Sequence, residues 1–370
     1  QPLSEMDLPI NLHVLRFGGY WNRECEPVHL PQRLQILTLS HGFSRNPRSN
    51  LVLGPAKDQQ LNLPPNLKSL TFGGRCNHPV QDVKLPEGLQ ELRFGGFNQS
   101  IDGMIFPSRL QSLTLGPSFN QSLEKVLLPD TLKKITFGHF FNQSLEWVKL
   151  PSSLQELTFG YSFNQSLEGV VLPDTLEILT FGYFFNKSLG KVKLPDALST
   201  LILGNNFNQS LEDVKLPARL QKLILGYCFR QSFNVKLPSS LLSLTFGPFL
   251  TPNLEAVKLN DLQSLTVGRN FETLDPILPT GLKCLILNGR FNQEMHMMNL
   301  PESLQTLTFG NAFNRSLDSL KWPETLQNLT FGNNFNQDMT DAQLPNDLKN
   351  LTFGFSFNQS LDLVNLPAGL

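Results

Sequence analysis

Histidine, cysteine and asparagine are the side chains in this sequence whose types invite chemistry: metal ligation, nucleophilic attack or glycan attachment. The six histidines stand at 13, 29, 41, 78, 139 and 296, and the four cysteines at 25, 76, 228 and 284. No HExxH or CxxC spacing occurs among them, so neither a metal site nor a dithiol redox pair is expected. No serine or cysteine is set beside a paired base, no glycine-rich loop is shaped for phosphate, and no carboxylates converge. The expectation is a protein that is not an enzyme and takes no cofactor. A catalytic pocket, if there were one, would have to form in one of two irregular stretches, 40–63 or 230–279.

Ten Asn-x-Ser/Thr sequons remain: Asn98, Asn120, Asn142, Asn164, Asn186, Asn208, Asn314, Asn328, Asn350 and Asn358. Used as glycan acceptors they would argue for secretion. Bulk properties restrict partners further. With 30 basic and 31 acidic residues the net charge is -1, which gives no field for nucleic acid or an anionic membrane. No apolar run reaches the roughly 18 residues of a membrane-spanning helix. The sequence begins at Gln1 and stops at Leu370, three residues past Pro367, which reads as part of a longer polypeptide.

The element that positions all these residues is a repeat. Prolines recur at 9, 31, 64, 86, 107, 129, 151, 173, 195, 217, 238, 279, 301, 323, 345 and 367, mostly 22 apart. The long step from 238 to 279 holds one degenerate copy, Leu259 to Gly268, giving about 17 coil starts. In the copy Pro151 to Leu172, counting the proline as zero, Leu154 is at 3, Leu157 at 6, Phe159 at 8, Gly160 at 9 and Phe163 at 12. Asn164 follows at 13, Leu167 at 16, Val170 at 19 and Leu172 at 21. Alternation over Leu154–Phe159 predicts a short strand with Glu156 and Thr158 facing outward. Proline suits the corner before that strand, and glycine the turn after it, by positive φ or by close backbone approach. Each coil sends about seven apolar side chains inward, and only stacking of coils can bury them. The expected fold is therefore all-β: a single β-solenoid of about 17 coils of ~22 residues over 1–370, its last coil truncated at 367–370. The recurring asparagine at position 13 predicts a ladder that satisfies backbone groups, which accounts for eight of the ten sequons.

Phe141-Asn142-Gln143-Ser144, Phe163-Asn164-Gln165-Ser166 and Leu157-Thr158-Phe159-Gly160 carry a further message. The phrase LPxxLxxLTFGxxFNQSL resembles the FNIP repeat, a leucine-rich-repeat-like module, with Gln-Ser-Leu replacing the commoner Pro-Ile wording after Phe-Asn. The resemblance covers essentially the whole chain. It implies a leucine-rich-repeat-like solenoid that serves as a protein-interaction array, sometimes attached to an F-box or another effector domain that is not in this sequence.

Function is then expected on surfaces the repeat does not itself need. The outward strand positions 5 and 7 form one such face, with threonine in most copies of position 7. Charged residues interrupt the threonine row, which argues against a crystal-binding face and for a protein partner or a larger assembly. The candidate partner-binding residues are Arg16, Glu91, Arg93, Lys134, Glu156 and Lys222 on the strands, with His41, Arg45 and Arg48 in the Pro- and Gly-rich insertion 40–63. Glu124, Glu146, Glu168 and Glu212 at position 17, and Lys149, Lys193 and Lys215 at position 20, read as solvated charge ladders. Asn328 and Asn350, at outward position 5, are the sequons that would carry glycans if the chain were secreted. The cysteines read as free thiols, since coils two apart already separate them by ~10 Å; that points to a reducing compartment. The primary reading is a non-catalytic scaffold that binds proteins through its strand face and irregular loops. The alternative is an extracellular structural or adhesive glycoprotein.

Overall fold

The computed structural model describes residues 8–17, 30–39, 63–73, 80, 83–233, 235–248, 261–267, 278–289, 291–295, 298–318 and 320–370. The chain divides into two compact units, Gln1–Lys187 with Val192–Leu198, and Ser188–Lys191 with Ser199–Leu370. The first unit holds β1 (Val14–Arg16), β2 (Ile36–Thr38), β3 (Ser69–Phe72), β4 (Glu91–Phe94), β5 (Ser112–Thr114), β6 (Lys134–Thr136), β7 (Glu156–Thr158) and β8 (Ile178–Thr180). The second holds β9 (Thr200–Ile202), β10 (Lys222–Ile224), β11 (Ser243–Thr245), β12 (Ser264–Val267), β13 (Cys284–Leu287), β14 (Thr306–Phe309), β15 (Asn328–Thr330) and β16 (Asn350–Thr352). Within each unit the strands pair in parallel and in chain order, for example Leu157 with Ile135 on one side and Leu179 on the other. No α-helix occurs among the described residues. This is the β-solenoid that the alternation predicts. The sixteen strands among the described residues fall one short of the expected coil starts, as only three residues follow Pro367.

Each coil closes through three turns. In the coil starting at Pro151, the Leu154 N–H donates to the Pro151 carbonyl at 3.2 Å, just before β7. After β7 the Phe163 N–H donates to the Gly160 carbonyl at 3.3 Å, and further on the Val170 N–H donates to Leu167 at 3.0 Å. Proline fits the first turn because that corner uses its carbonyl and asks nothing of the N–H it lacks.

The glycine at position 9 is required by crowding rather than by φ. A Cβ on Gly160 would lie 1.8 Å from the Gly138 carbonyl oxygen, and one on Gly182 would lie 1.7 Å from that of Gly160. Positive φ occurs instead at the third turn, at Gly103 (74°) and Gly169 (83°), and at Gly289 (76°), position 10 of the coil that holds β13.

Two interleaved ladders of phenylalanine fill the core. Phe137, Phe159 and Phe181 stack at 5.4 and 5.5 Å, and Phe141, Phe163 and Phe185 at 6.1 Å. The two ladders meet within a coil, Phe159 on Phe163 at 3.8 Å. All seven inward positions of this coil are buried: Leu154, Leu157, Phe159, Phe163, Leu167, Val170 and Leu172. Along each ladder the near-parallel rings, 5.4 to 6.1 Å apart, fall in the centroid range that aromatic pairs favour.

The asparagines form the expected ladder. Asn142 Oδ1 accepts the Asn164 N–H at 2.8 Å, and Asn164 Oδ1 accepts the Asn186 N–H at 2.9 Å. Gln165 Nε2 also donates to Asn142 Oδ1, at 3.1 Å. The same bonds recur from Asn292 to Asn314, Asn336 and Asn358.

The irregular stretches are partly resolved by pairing. The degenerate copy supplies β12, in register with β11 and β13. β2 pairs directly with β3, so the extra residues between Pro31 and Pro64 insert no strand between them. The insertion itself, from residue 40 to 62, lies outside the described residues, as does most of 249–277.

Two outcomes test this account. Gly160→Ala should lower stability by roughly 1–3 kcal/mol in urea denaturation, whereas Gly281→Ala, where a Cβ meets nothing within 4 Å, should be near neutral. Equal effects at both sites would remove the crowding argument. Asn164→Ala should cost about 1–3 kcal/mol by stranding the Asn186 N–H, and the exchange of that amide, followed by NMR, should accelerate.

Candidate interaction surface

Outward strand side chains inherit their positions from the pairing register, which places like position on like position every ~4.8 Å. Position 5 runs through Glu91, Ser112, Lys134, Glu156 and Ile178 in the first unit, and position 7 through Arg93, Thr114, Thr136, Thr158 and Thr180. Glu91, Arg93 and Lys134 are exposed, and Glu156 is half-buried. Lys134 and Glu156 form an ion pair at 2.5 Å, and Ser69 Oγ donates to Glu91 Oε2 at 3.2 Å. Pairs this exposed add little to stability. Arg16 lies on the same face at β1, and Lys222 on β10 of the second unit. The face therefore gathers Glu91 and Arg93 on β4, Lys134 on β6 and Glu156 on β7. His41, Arg45 and Arg48 lie outside the described residues.

From β11 to β16 the outward rows change character. Ser243, Ser264, Cys284, Thr306, Asn328 and Asn350 occupy position 5, and none carries a formal charge. Asn328 Nδ2 donates to Thr306 Oγ1 at 3.2 Å, and Asn350 Nδ2 donates to Asn328 Oδ1 at 2.7 Å. The nitrogen that would carry a glycan is thus engaged along the sheet in both sequons. Cys284 and Cys228 are free and half-buried, and Cys25 and Cys76 lie outside the described residues.

The glutamates at position 17 belong to the third turn. The backbone N–H groups of Glu124, Glu146 and Glu212 donate to the hydroxyls of Ser122, Ser144 and Ser210 at 3.2, 3.2 and 3.1 Å. Two exposed carboxyls titrate below the usual range. Asp130 is lowered by the Ser152 N–H, then by the Ser152 hydroxyl and the Lys149 charge, and Asp338 mainly by the Thr340 hydroxyl. The Asp130 contact joins neighbouring coils, and the Asp338 contact closes a local turn. Among the described residues, no three His, Cys, Asp or Glu side chains are grouped to hold a metal, and no helix is long and apolar enough to cross a membrane.

One surface escapes a search by motif. His139, Tyr161 and Tyr183 occupy position 10 of consecutive coils and stack at 4.6 and 4.7 Å. Phe140 meets His139 edge-on, and Phe184 meets both Tyr161 and Tyr183 edge-on. His139 is thus not an isolated surface histidine but the end of an aromatic row. The signal lies in comparing positions 10 and 11 across copies, where aromatics replace the Pro117-Ser118 of the preceding coil.

Comparison with known proteins follows the same lines. The FNIP repeat matches residues 58–96, 97–140, 141–184, 185–228, 207–249, 270–312 and 313–356. CroV588, a novel circular leucine-rich-repeat protein of known crystal structure, is 34% identical over 95% of this chain, with a TM-score of 0.66. The match spans 58% of that chain. YopM from Yersinia enterocolitica WA-314 shares the fold at 22% identity and a TM-score of 0.52, over 98% of this chain and 68% of its own. None of the curated proteins searched matches the chain. With the Leu-x-Phe-Gly strand, the Phe-Asn ladder and repeat matches over more than half its length, this chain belongs to the FNIP-repeat family, built as a leucine-rich-repeat-like solenoid.

Proposed function

We propose that the chain is a non-catalytic scaffold that binds protein partners through the outward face of its strands. The observation that carries this reading is the contrast between the two sides of each strand. Inward residues are nearly invariant, as in Leu92, Leu113, Ile135, Leu157 and Leu179, while their outward neighbours at position 5 pass through Glu, Ser, Lys, Glu and Ile, beside a position 7 that is mostly threonine. A constant frame with a variable, mixed-charge face is the arrangement in which specificity can be set without disturbing the core. Membership of a leucine-rich-repeat-like family supports the same reading. The mixed signs of Glu91, Arg93, Lys134 and Glu156 favour a partner surface with its own alternating charges, recognised through complementarity more than through bulk attraction. His41, Arg45 and Arg48, in the insertion after β2, are proposed to extend that surface.

The test is differential capture. Arg93→Glu with Lys134→Glu should cut the recovery of specific partners by about tenfold or more, while Lys149→Glu at position 20 should retain them. Identical capture by all three proteins, measured by quantitative mass spectrometry, would sink the strand-face assignment. Intact mass before and after deglycosylation separates this reading from a secreted adhesive glycoprotein: a mass shift that traces to Asn328 or Asn350 would favour the latter.

A further inference from the structure

We propose that the aromatic edge formed by His139, Phe140, Tyr161, Tyr183 and Phe184 binds a neutral, proline-rich segment of a partner in the polyproline II conformation. All five residues are exposed, Phe140 at 56%, Phe184 at 43%, Tyr161 at 39% and Tyr183 at 38%. A contiguous aromatic patch of this kind marks a contact surface, unlike apolar residues scattered singly. The fold does not ask for them. The same turn forms with Pro117-Ser118, Asn311-Ala312 and Asn333-Asn334 at these positions, closed by the same bond to the glycine carbonyl at 3.1, 3.2 and 3.4 Å.

Ring geometry selects the ligand. Stacking covers both faces of Tyr161 and the inner faces of His139 and Tyr183, so the middle of the row presents a ring edge. Phe140 and Phe184 stand nearly perpendicular to the stack, at 74° to His139 and at 80° and 86° to the tyrosines. They flank Ser162, the small residue at position 11 of the intervening coil, and so bracket a gap two coil rises wide, about 10 Å.

The spacing is the second argument. Two successive stacking steps of 4.6 and 4.7 Å separate the ends of the row. A polyproline II helix repeats every three residues at about 3.1 Å each, or ~9.3 Å per turn. Prolines at i and i+3 therefore meet equivalent rings two coils apart. Side chains of an α-helix recur at ~5.4 Å and those of one face of a strand at ~6.6–6.8 Å, so neither keeps step. Polyproline II also leaves its carbonyls unpaired, and tyrosine hydroxyls can donate to them. Positions 10 and 11 of these coils hold no Asp, Glu, Lys or Arg, which suits an uncharged ligand. A sugar would stack on open ring faces, and Tyr161, at the centre of the row, has both of its faces covered. The edge is distinct from the strand face, so charge reversal at Arg93 and Lys134 should leave it intact.

Fluorescence anisotropy with fluorescein-labelled decaproline tests the proposal, with a Gly/Ser peptide of equal length as control. Saturable binding of decaproline alone is expected. In the double variant Tyr161→Asn, Phe184→Ser, which uses residue types already found at these positions, the Kd should rise about tenfold or more with the thermal melt unchanged. No saturation by decaproline, or equal binding by wild type and variant, would overturn it. So would calorimetric binding of cellohexaose that the variant loses, since that would reassign the edge to a glycan.

Discussion

Parallel pairing in strict register constrains everything else in this molecule. It places each residue beside its counterpart in the coils before and after, as Ile135, Leu157 and Leu179 are placed. Any group must therefore tolerate copies of itself at close range. Glycine at position 9 meets this demand by having no Cβ where the neighbouring carbonyl comes within 1.8 Å. Phenylalanine meets it by stacking. Asparagine meets it because its carbonyl can accept the N–H of the next asparagine, leaving no backbone donor stranded. Charges do not stack well, and the outward row answers by setting Lys134 beside Glu156 rather than beside another lysine.

Much of this was legible in the sequence because period and burial are coupled. In the coils of β2 to β15 leucine at 3 and 6 and phenylalanine at 8 and 12 are inside wherever they are described, and the degenerate stretch around Leu265 still reads as a strand because its alternation survives. What the sequence leaves open is the reason for a residue. Glycine at position 9 is compatible with positive φ and with crowding, and only the coordinates decide between them. The aromatic edge is hidden for another reason. Its members are 22 residues apart along the chain, in positions where the consensus is silent, so no local motif brings His139 and Tyr161 together.

The two candidate surfaces differ physically. The strand face is mixed in charge and rich in hydroxyls, and it offers specificity through complementarity. The aromatic edge is uncharged and rigid, since each ring is held by its neighbours, and it would lose little side-chain freedom on binding. A scaffold with both could hold a folded surface and an extended segment of the same partner, with the second contact made intramolecular by the first.

The register also governs how such a chain can change length. Removing one whole coil, for example 22 residues between Pro151 and Pro173, brings together faces that already match: phenylalanine on phenylalanine, asparagine on asparagine, glycine on glycine. Coils one residue shorter, from Pro86 to Pro107 and from Pro217 to Pro238, still pair Leu92 with Leu113 and Leu223 with Leu244, so the turns absorb the difference and the strands keep step. Length in this architecture is therefore quantised in rungs rather than in residues. The extra residues before Pro64 add no rung, as the direct pairing of β2 with β3 attests.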